Sequence, residues 1–303
     1  MKHLFIINPL AGKGTALKLI PKIEKILGTL KEEYKIEITR YPGHAIELVK
    51  AYVKESDYRV YAVGGDGTLN EVLNGIVDSN SSLGVIPTGS GNDYIKSITK
   101  GLSKDILYRT IVGTEKPIDI GKINDRYFLN ISSAGIDAQT TLNSIKFKSL
   151  PMINGFTAYL FSIIYTILKY KNQYIIAEID DSIIKEITVL VAFGKGGSYG
   201  GGMKVLPYSI IDDGYIDVCH VKAMSKFKIL TLFPVLIKGK HASVKDYVSF
   251  FKCKSAKITF DTEIPINVDG EIVMAKKLSI SILPKKIKFI IPQEQEQRAI
   301  TKV

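Results

Sequence analysis

Cysteine is scarce in this chain. Cys219 and Cys253 are the only two among 303 residues, each in a strand-like run and without metal-ligand spacing. That excludes a disulfide framework or zinc module and favours buried, reduced thiols in a cytoplasmic protein. The four histidines lack ligand spacing as well. There is no low-complexity tract and no clear internal repeat, and no charged leader precedes a long apolar segment, so the N-terminus does not read as a signal peptide. Long apolar runs are also missing: Phe156–Leu168 is interrupted by Thr157, Ser162 and Thr166 and is shorter than the roughly 20 residues of a membrane-spanning helix. Acidic residues are in deficit, 30 against 41 Lys and Arg, leaving a net charge of +11 that suits an anionic partner. With no helix-turn-helix, zinc or RNA-binding aromatic signature, nucleic acid is not the expected partner. An anionic membrane surface fits better, because Lys146 and Lys148 precede the Phe156–Leu168 run and Lys169 and Lys171 follow it. A buried helix with solvated ends has the same pattern.

What the chain does have is Gly64-Gly65-Asp66-Gly67-Thr68-Leu69-Asn70-Glu71, placed after the apolar run Val60–Val63. Leu69, Val72, Leu73, Ile76 and Val77 follow at helical spacing. Glycines let backbone approach a ligand that a Cβ would hold off, and a helix N-terminus attracts anions. Thr68-x-x-Glu71 fits a capping box and predicts a helix start at Thr68. A carboxylate at a phosphate turn repels its ligand unless a cation lies between them, so Asp66 implies Mg²⁺. A nucleotide-dependent kinase is the leading reading.

Up to about residue 120 strands and helices alternate: Leu4–Ile7, Tyr34–Thr39, Val60–Val63 and Leu83–Ile86 as strands, with a helix that kinks or begins at Pro21. This pattern predicts an α/β nucleotide-binding domain over 1–121, with a mainly parallel sheet, helices on both faces and ligands at the carboxyl ends of the strands. From Lys122 the texture becomes β-rich, with helices expected at Phe156–Tyr170 and Lys226–Ile237. A second domain over 122–292 is expected, with the active site in the cleft between the two.

Several further motifs stand in a familiar order: Asn8-Pro9-x-Ala11-Gly12, Thr39 with Pro42-Gly43-His44-Ala45, Pro87-Thr88-Gly89-Ser90-Gly91-Asn92-Asp93, Asp119-Ile120-Gly121, Tyr199-Gly200-Gly201-Gly202-Met203, Asp212-Asp213-Gly214 and Asp269-Gly270-Glu271. With the Gly64–Gly75 stretch they resemble, nearly end to end, the bacterial diacylglycerol-kinase-like lipid kinases, relatives of the ceramide and sphingosine kinases. Ser90 stands where threonine is frequent, and Tyr94 where phenylalanine is. The resemblance implies an ATP site on the first domain, a β-sandwich second domain, an apolar acceptor pocket between them and a C-terminal stretch, 293–303, returning to the first domain. It places nucleotide contacts at Asn8, Pro9, Ala11, Gly12, Thr39, Gly64 through Asn70 (Leu69 among them), Ser90, Asn92 and Asp93. Asp66, Asp93 and Asp119 match carboxylates that organise the catalytic Mg²⁺ and its waters. Asp213, with the carbonyls of Ile210 and Tyr215, matches a structural metal site, although Asp-Gly also suits a plain hairpin turn. Glu271 matches the general base, against the alternative of a surface glutamate after a turn. The expected activity is phosphorylation of a hydroxyl on a membrane lipid, diacylglycerol being one example, within phospholipid metabolism. A soluble acceptor such as NAD, or nucleotide and lipid binding without turnover, are the alternatives, and a homodimer is left open.

Overall fold

The computed structural model describes residues 1–99, 105–148 and 155–294, though not the side chains of 148, 155–158 and 160. Of the expected basic-flanked segment, the Lys148 and Phe156 side chains therefore lie outside the description, as do residues 295–303 of the expected returning tail.

The first half runs β1 (Lys2–Ile7), α1 (Ile20–Leu30), β2 (Glu33–Ile38), α2 (His44–Val53), β3 (Arg59–Gly64), α3 (Asp66–Ile76), β4 (Ser82–Pro87), α4 (Ile95–Ile98), α5 (Ile106–Ile111) and β5 (Thr114–Ile123). Strands β2, β1, β3 and β4 pair in that order, all parallel. Successive side chains of a strand face opposite ways, and both faces here are covered. Leu4, Ile6, Val60 and Ala62 pack with the apolar stripes of α2 and α3, while Phe5, Ile7, Tyr61 and Val63 pack with Ile23 and Leu27 of α1 and Ile111 of α5. Each Val, Leu, Ile or Phe side chain among them contributes about 1.5–3 kcal/mol on burial. Pro21 lies in the first turn of α1, where its missing N–H costs nothing, so the helix begins there and does not kink.

The second half comprises β6 (Arg126–Phe128), β7 (Ile131–Gly135), α6 (Ile136–Lys148), α7 (Gly155–Lys169), β8 (Gln173–Ile179), β9 (Ser182–Gly194), β10 (Ile216–Lys222), α8 (Lys226–Ile237), β11 (Val248–Cys253), β12 (Ser255–Val268) and β13 (Glu271–Ile291). Its strands pair antiparallel, and Cys219 and Cys253 are free, buried thiols.

The halves share β13. Its first part pairs antiparallel with β12, and its last residues pair parallel with β4 (Lys288 opposite Ser82). β5 accompanies it antiparallel on both sides of a register shift between Leu283 and Ile287. The strand thus carries the chain from the second half into the edge of the first, and Gln293 then bonds α5 through its N–H to the Arg109 carbonyl, 2.9 Å. Among the described residues no helix is long and apolar enough to cross a membrane.

Candidate active site

The carboxyl ends of β1, β3 and β4 gather three loops. Asn8 is held by its N–H to the Val63 carbonyl (3.0 Å), and its side-chain amide reaches Thr68 Oγ1 at 3.2 Å. The Ala11 N–H closes a turn onto Asn8, behind Pro9. Gly12 has φ +58°, and a Cβ on it would stand 2.3 Å from the Thr88 carbonyl oxygen. Gly65 and Gly89 touch backbone to backbone, since a Cβ on Gly89 would lie 2.5 Å from Gly65 Cα. The β3 and β4 loops are therefore packed at a distance only glycine permits. Thr39 follows β2, bonded to the Ile7 carbonyl, and Gly67 and Ser90 are exposed at the cleft loops.

Helix α3 begins two residues before the position the capping box predicts. Its N-cap is Gly65, extended at φ −99°, and no side chain caps it. Glu71 instead accepts the Ala45 N–H at the start of α2, and Thr68 Oγ1 takes the Asn8 amide. The uncapped first turn leaves backbone donors for an anion. Leu69 does not belong with the ligand-facing residues. Its side chain lies in the core and its N–H is committed to the Gly65 carbonyl.

Asp66 does more than the sequence suggests. Both of its oxygens accept the Asp93 N–H, at 2.9 and 3.0 Å, and Oδ1 also accepts the Tyr94 N–H, so the carboxylate staples the β3 loop to the β4 loop. Asn92, at φ +48°, rounds that loop and exchanges hydrogen bonds with Gly89. Asp93 pairs with Lys96 (2.8 Å), and its other oxygen accepts the Gly201 N–H across the cleft, 2.8 Å.

The three carboxylates expected around one Mg²⁺ do not form one ligand set; among the described residues no three metal-binding side chains do. Asp66 and Asp93 flank Gly91, but Asp119 is turned away. It accepts the Gly214 N–H (2.6 Å) and the Lys285 N–H (2.9 Å), and lies 3.3 Å from the ammonium of Lys195. Nor does the Asp213 group fit a structural metal. Lys195 Nζ already sits 2.6 Å from Asp213 Oδ1 and 2.5 Å from the Tyr215 carbonyl, two of the three ligands expected there. Burial raises the Asp213 carboxyl, but hydrogen bonds from Lys195 and Lys252 outweigh it and hold the group below the usual range.

On the second half, Asp269 is buried and accepts N–H groups from Leu129, Asn130 and Ile131 at 2.8–3.0 Å, plus the side-chain amide of Asn70 at 3.0 Å. Burial pushes its pKa up to about 6. Through Asn70, one turn beyond Asp66 on α3, this turn is fastened to the phosphate-loop helix. Glu271, two residues on, points outward, half exposed, and pairs with Arg126.

Sequence reasoning missed Asp137, at the start of α6. Its Oδ2 accepts the hydroxyls of Ser133 and Tyr199 (the latter at 2.8 Å), while Oδ1 is shut off from solvent without a partner. Desolvation raises its pKa. Asp137, Thr140, Tyr159, Tyr199 and His241 form the polar part of an otherwise apolar cleft of about 830 Å³, open mouth included, walled by Ile163 and Ile167 of α7, Leu190 of β9, and Leu232, Phe233 and Leu236 of α8. A Cβ on Gly200 would stand 2.8 Å from the Tyr159 hydroxyl, and the next residue, Gly201, donates to Asp93. One glycine turn thus separates the apolar cleft from the phosphate loops.

Glycine loops at the carboxyl ends of parallel strands, an uncapped helix start and a facing apolar cleft define a phosphoryl-transfer class of site. Residues 2–123 match the diacylglycerol kinase catalytic domain, and residues 130–291 match the YegS C-terminal NAD kinase beta sandwich-like domain. The chain is 32% identical over 272 residues to a diacylglycerol kinase of Staphylococcus epidermidis, covering 88% of this chain and 84% of that one. It belongs to the diacylglycerol kinase-like lipid kinase family. Two solved structures share the fold: a Bacillus anthracis protein assigned as a diacylglycerol kinase (TM-score 0.75, 24% identity, 96% of each chain) and, more distantly, an Archaeoglobus fulgidus NAD kinase in complex with ATP (TM-score 0.51, 12% identity, 96% of this chain and 93% of that one).

Proposed function

We propose that this protein transfers the γ-phosphoryl group of ATP to a hydroxyl of a membrane lipid, diacylglycerol being the model acceptor. The observation that carries this reading is the apolar cleft lying one glycine turn from Asp93 and the phosphate loops. An acceptor of that shape has apolar chains for the α7–α8 walls and a polar headgroup for the end lined by Asp137, Tyr159 and Tyr199. Asn8, Thr39, Gly12, Gly64, Gly65, Gly67, Thr68, Asn70, Ser90 and Asn92 frame the nucleotide. The acceptor oxygen attacks the γ-phosphorus, the bond from that phosphorus to the β-phosphate oxygen breaks, and ADP leaves. Glu271 takes the hydroxyl proton. Mg²⁺ bound with the nucleotide would supply charge neutralisation, and Asp66 and Asp93, which flank Gly91, would hold it, Asp93 in exchange for its Lys96 ion pair.

Lipid dispersed in detergent should therefore be phosphorylated from labelled ATP, and NAD should not. Leu232→Trp, which fills the cleft from its partly exposed wall, should raise KM for a long-chain acceptor about tenfold and spare a short-chain one. Phosphorylation of NAD, or chain length without effect in Leu232→Trp, would sink the lipid assignment.

The same helices supply a membrane-facing surface. Phe161, Ile164, Tyr165 and Leu168 of α7 and Phe227, Leu230 and Ile237 of α8 are exposed, with Lys169, Lys171 and Lys226 beside them. Peripheral docking on anionic lipid follows from apolar contact plus about 1 kcal/mol per lysine near the surface. Binding to anionic vesicles should fall steeply as salt rises. Equal binding to neutral vesicles at every ionic strength would contradict it.

A further inference from the structure

The joint between the two halves contains a sealed cation of the chain's own making. Lys195 has no solvent exposure, and neither, to within 1%, does the Asp119 side chain it faces. Its backbone is fixed at the end of β9, where Lys195 and Gly196 both donate to the Asn130 carbonyl, at 2.9 and 3.1 Å. An ammonium has three N–H donors and no acceptor. Here it donates to Asp213 Oδ1 at 2.6 Å and the Tyr215 carbonyl at 2.5 Å, with Asp119 Oδ2 an ion-pair partner at 3.3 Å. Lys252 pairs with the other Asp213 oxygen from the rim. Asp119 belongs to β5, receives the Lys285 N–H at the bend of β13, and is tied to the 211–214 loop by two more backbone bonds. The oxygens around Lys195 Nζ are hard donors of the kind a divalent cation takes, and they carry two negative charges that a buried site must neutralise. With the ammonium in their midst, Asp213 Oδ1 and the Tyr215 carbonyl are already taken, and the charge of the two carboxylates is compensated.

We infer that Lys195 is the resident cation of this joint, taking the place of a structural divalent metal, so that the protein's fold needs no Mg²⁺ there. The prediction is independent of the kinase reading, because its test measures stability and metal content, not turnover.

Thermal unfolding of the nucleotide-free full chain should have the same midpoint in EDTA and in millimolar Mg²⁺. Lys195→Ala leaves Asp119 without its cation and Asp213 with Lys252 alone, at the rim. Its midpoint in EDTA should drop by about 5–10 °C, and Mg²⁺ or Mn²⁺ should restore most of the loss. As a second measurement that does not depend on the Lys195→Ala variant, nucleotide-free wild-type protein equilibrated with Mn²⁺ and gel-filtered should retain no ion that Asp213→Asn removes. The inference is overturned by a wild-type midpoint that Mg²⁺ raises and Asp213→Asn makes insensitive, by retained Mn²⁺ that Asp213→Asn abolishes, or by a Lys195→Ala midpoint that matches wild type or ignores divalent cations.

Discussion

Asp66→Asn is expected to lower kcat by about 10²–10³-fold and, in addition, to weaken ATP binding. The first effect follows from charge. If Asp66 helps hold the nucleotide's Mg²⁺, the amide cannot replace a carboxylate ligand. The second follows from the hydrogen bonds. The carboxylate accepts N–H groups from Asp93 and Tyr94 through both oxygens, whereas an asparagine would offer one acceptor and turn an NH₂ toward those donors. The β4 loop should then shift away from the β3 loop, loosening the cradle that Gly65 and Gly89 close. The sheet and both cores lie outside this contact, so the thermal midpoint should change little. Titration with ATP, with and without Mg²⁺, separates the two effects: a pure metal role predicts affinity loss only when Mg²⁺ is present, while the staple predicts loss in both conditions. Wild-type turnover in the variant would remove Asp66 from the site.

The glycine loops were legible from sequence because each glycine answers a local demand. Gly12, Gly65 and Gly89 are needed where loops from three strands meet, and the apolar runs that precede them mark those strands. What was not legible depends on partners remote in sequence. Thr68 and Glu71 have the spacing of a capping box, but Asn8 and the Ala45 N–H, brought in by neighbouring elements, take their side chains. Asp213 has the look of a metal ligand because nothing in its own turn reveals that Lys195 will arrive from the end of β9. Asp137 escaped notice because α6, IDAQTTLNSIKFK, has no clean apolar stripe, and because the cleft it lines is assembled from α6, α7, α8 and β9. The two-part architecture could be read from the change of texture near Lys122, yet β5 runs through that point unbroken, since its pairing with β13 on both sides outweighs any local boundary signal.

Glu271→Gln tests whether the two halves act on one substrate. The carboxylate pairs with Arg126 at a half-exposed position, and such pairs contribute about 0–1 kcal/mol, so the variant should fold and melt almost as wild type does. The turn itself is held by Asp269, whose bonds to Leu129, Asn130, Ile131 and Asn70 remain, so the residue at 271 should stay where it is. Glutamine keeps the size and one acceptor but loses the basic oxygen, which should cut kcat by about 10²–10⁴-fold if this group takes the acceptor's proton. If the loops of β1, β3 and β4 hold the nucleotide, ATP affinity should barely move, giving a loss in kcat and not in nucleotide binding. Arg126→Ala provides the control: it breaks the same ion pair but leaves the base, so its turnover should stay within a few fold of wild type. Near wild-type phosphorylation by Glu271→Gln, or equal losses in the two variants, would show that the pair serves the fold and that the proton acceptor lies elsewhere.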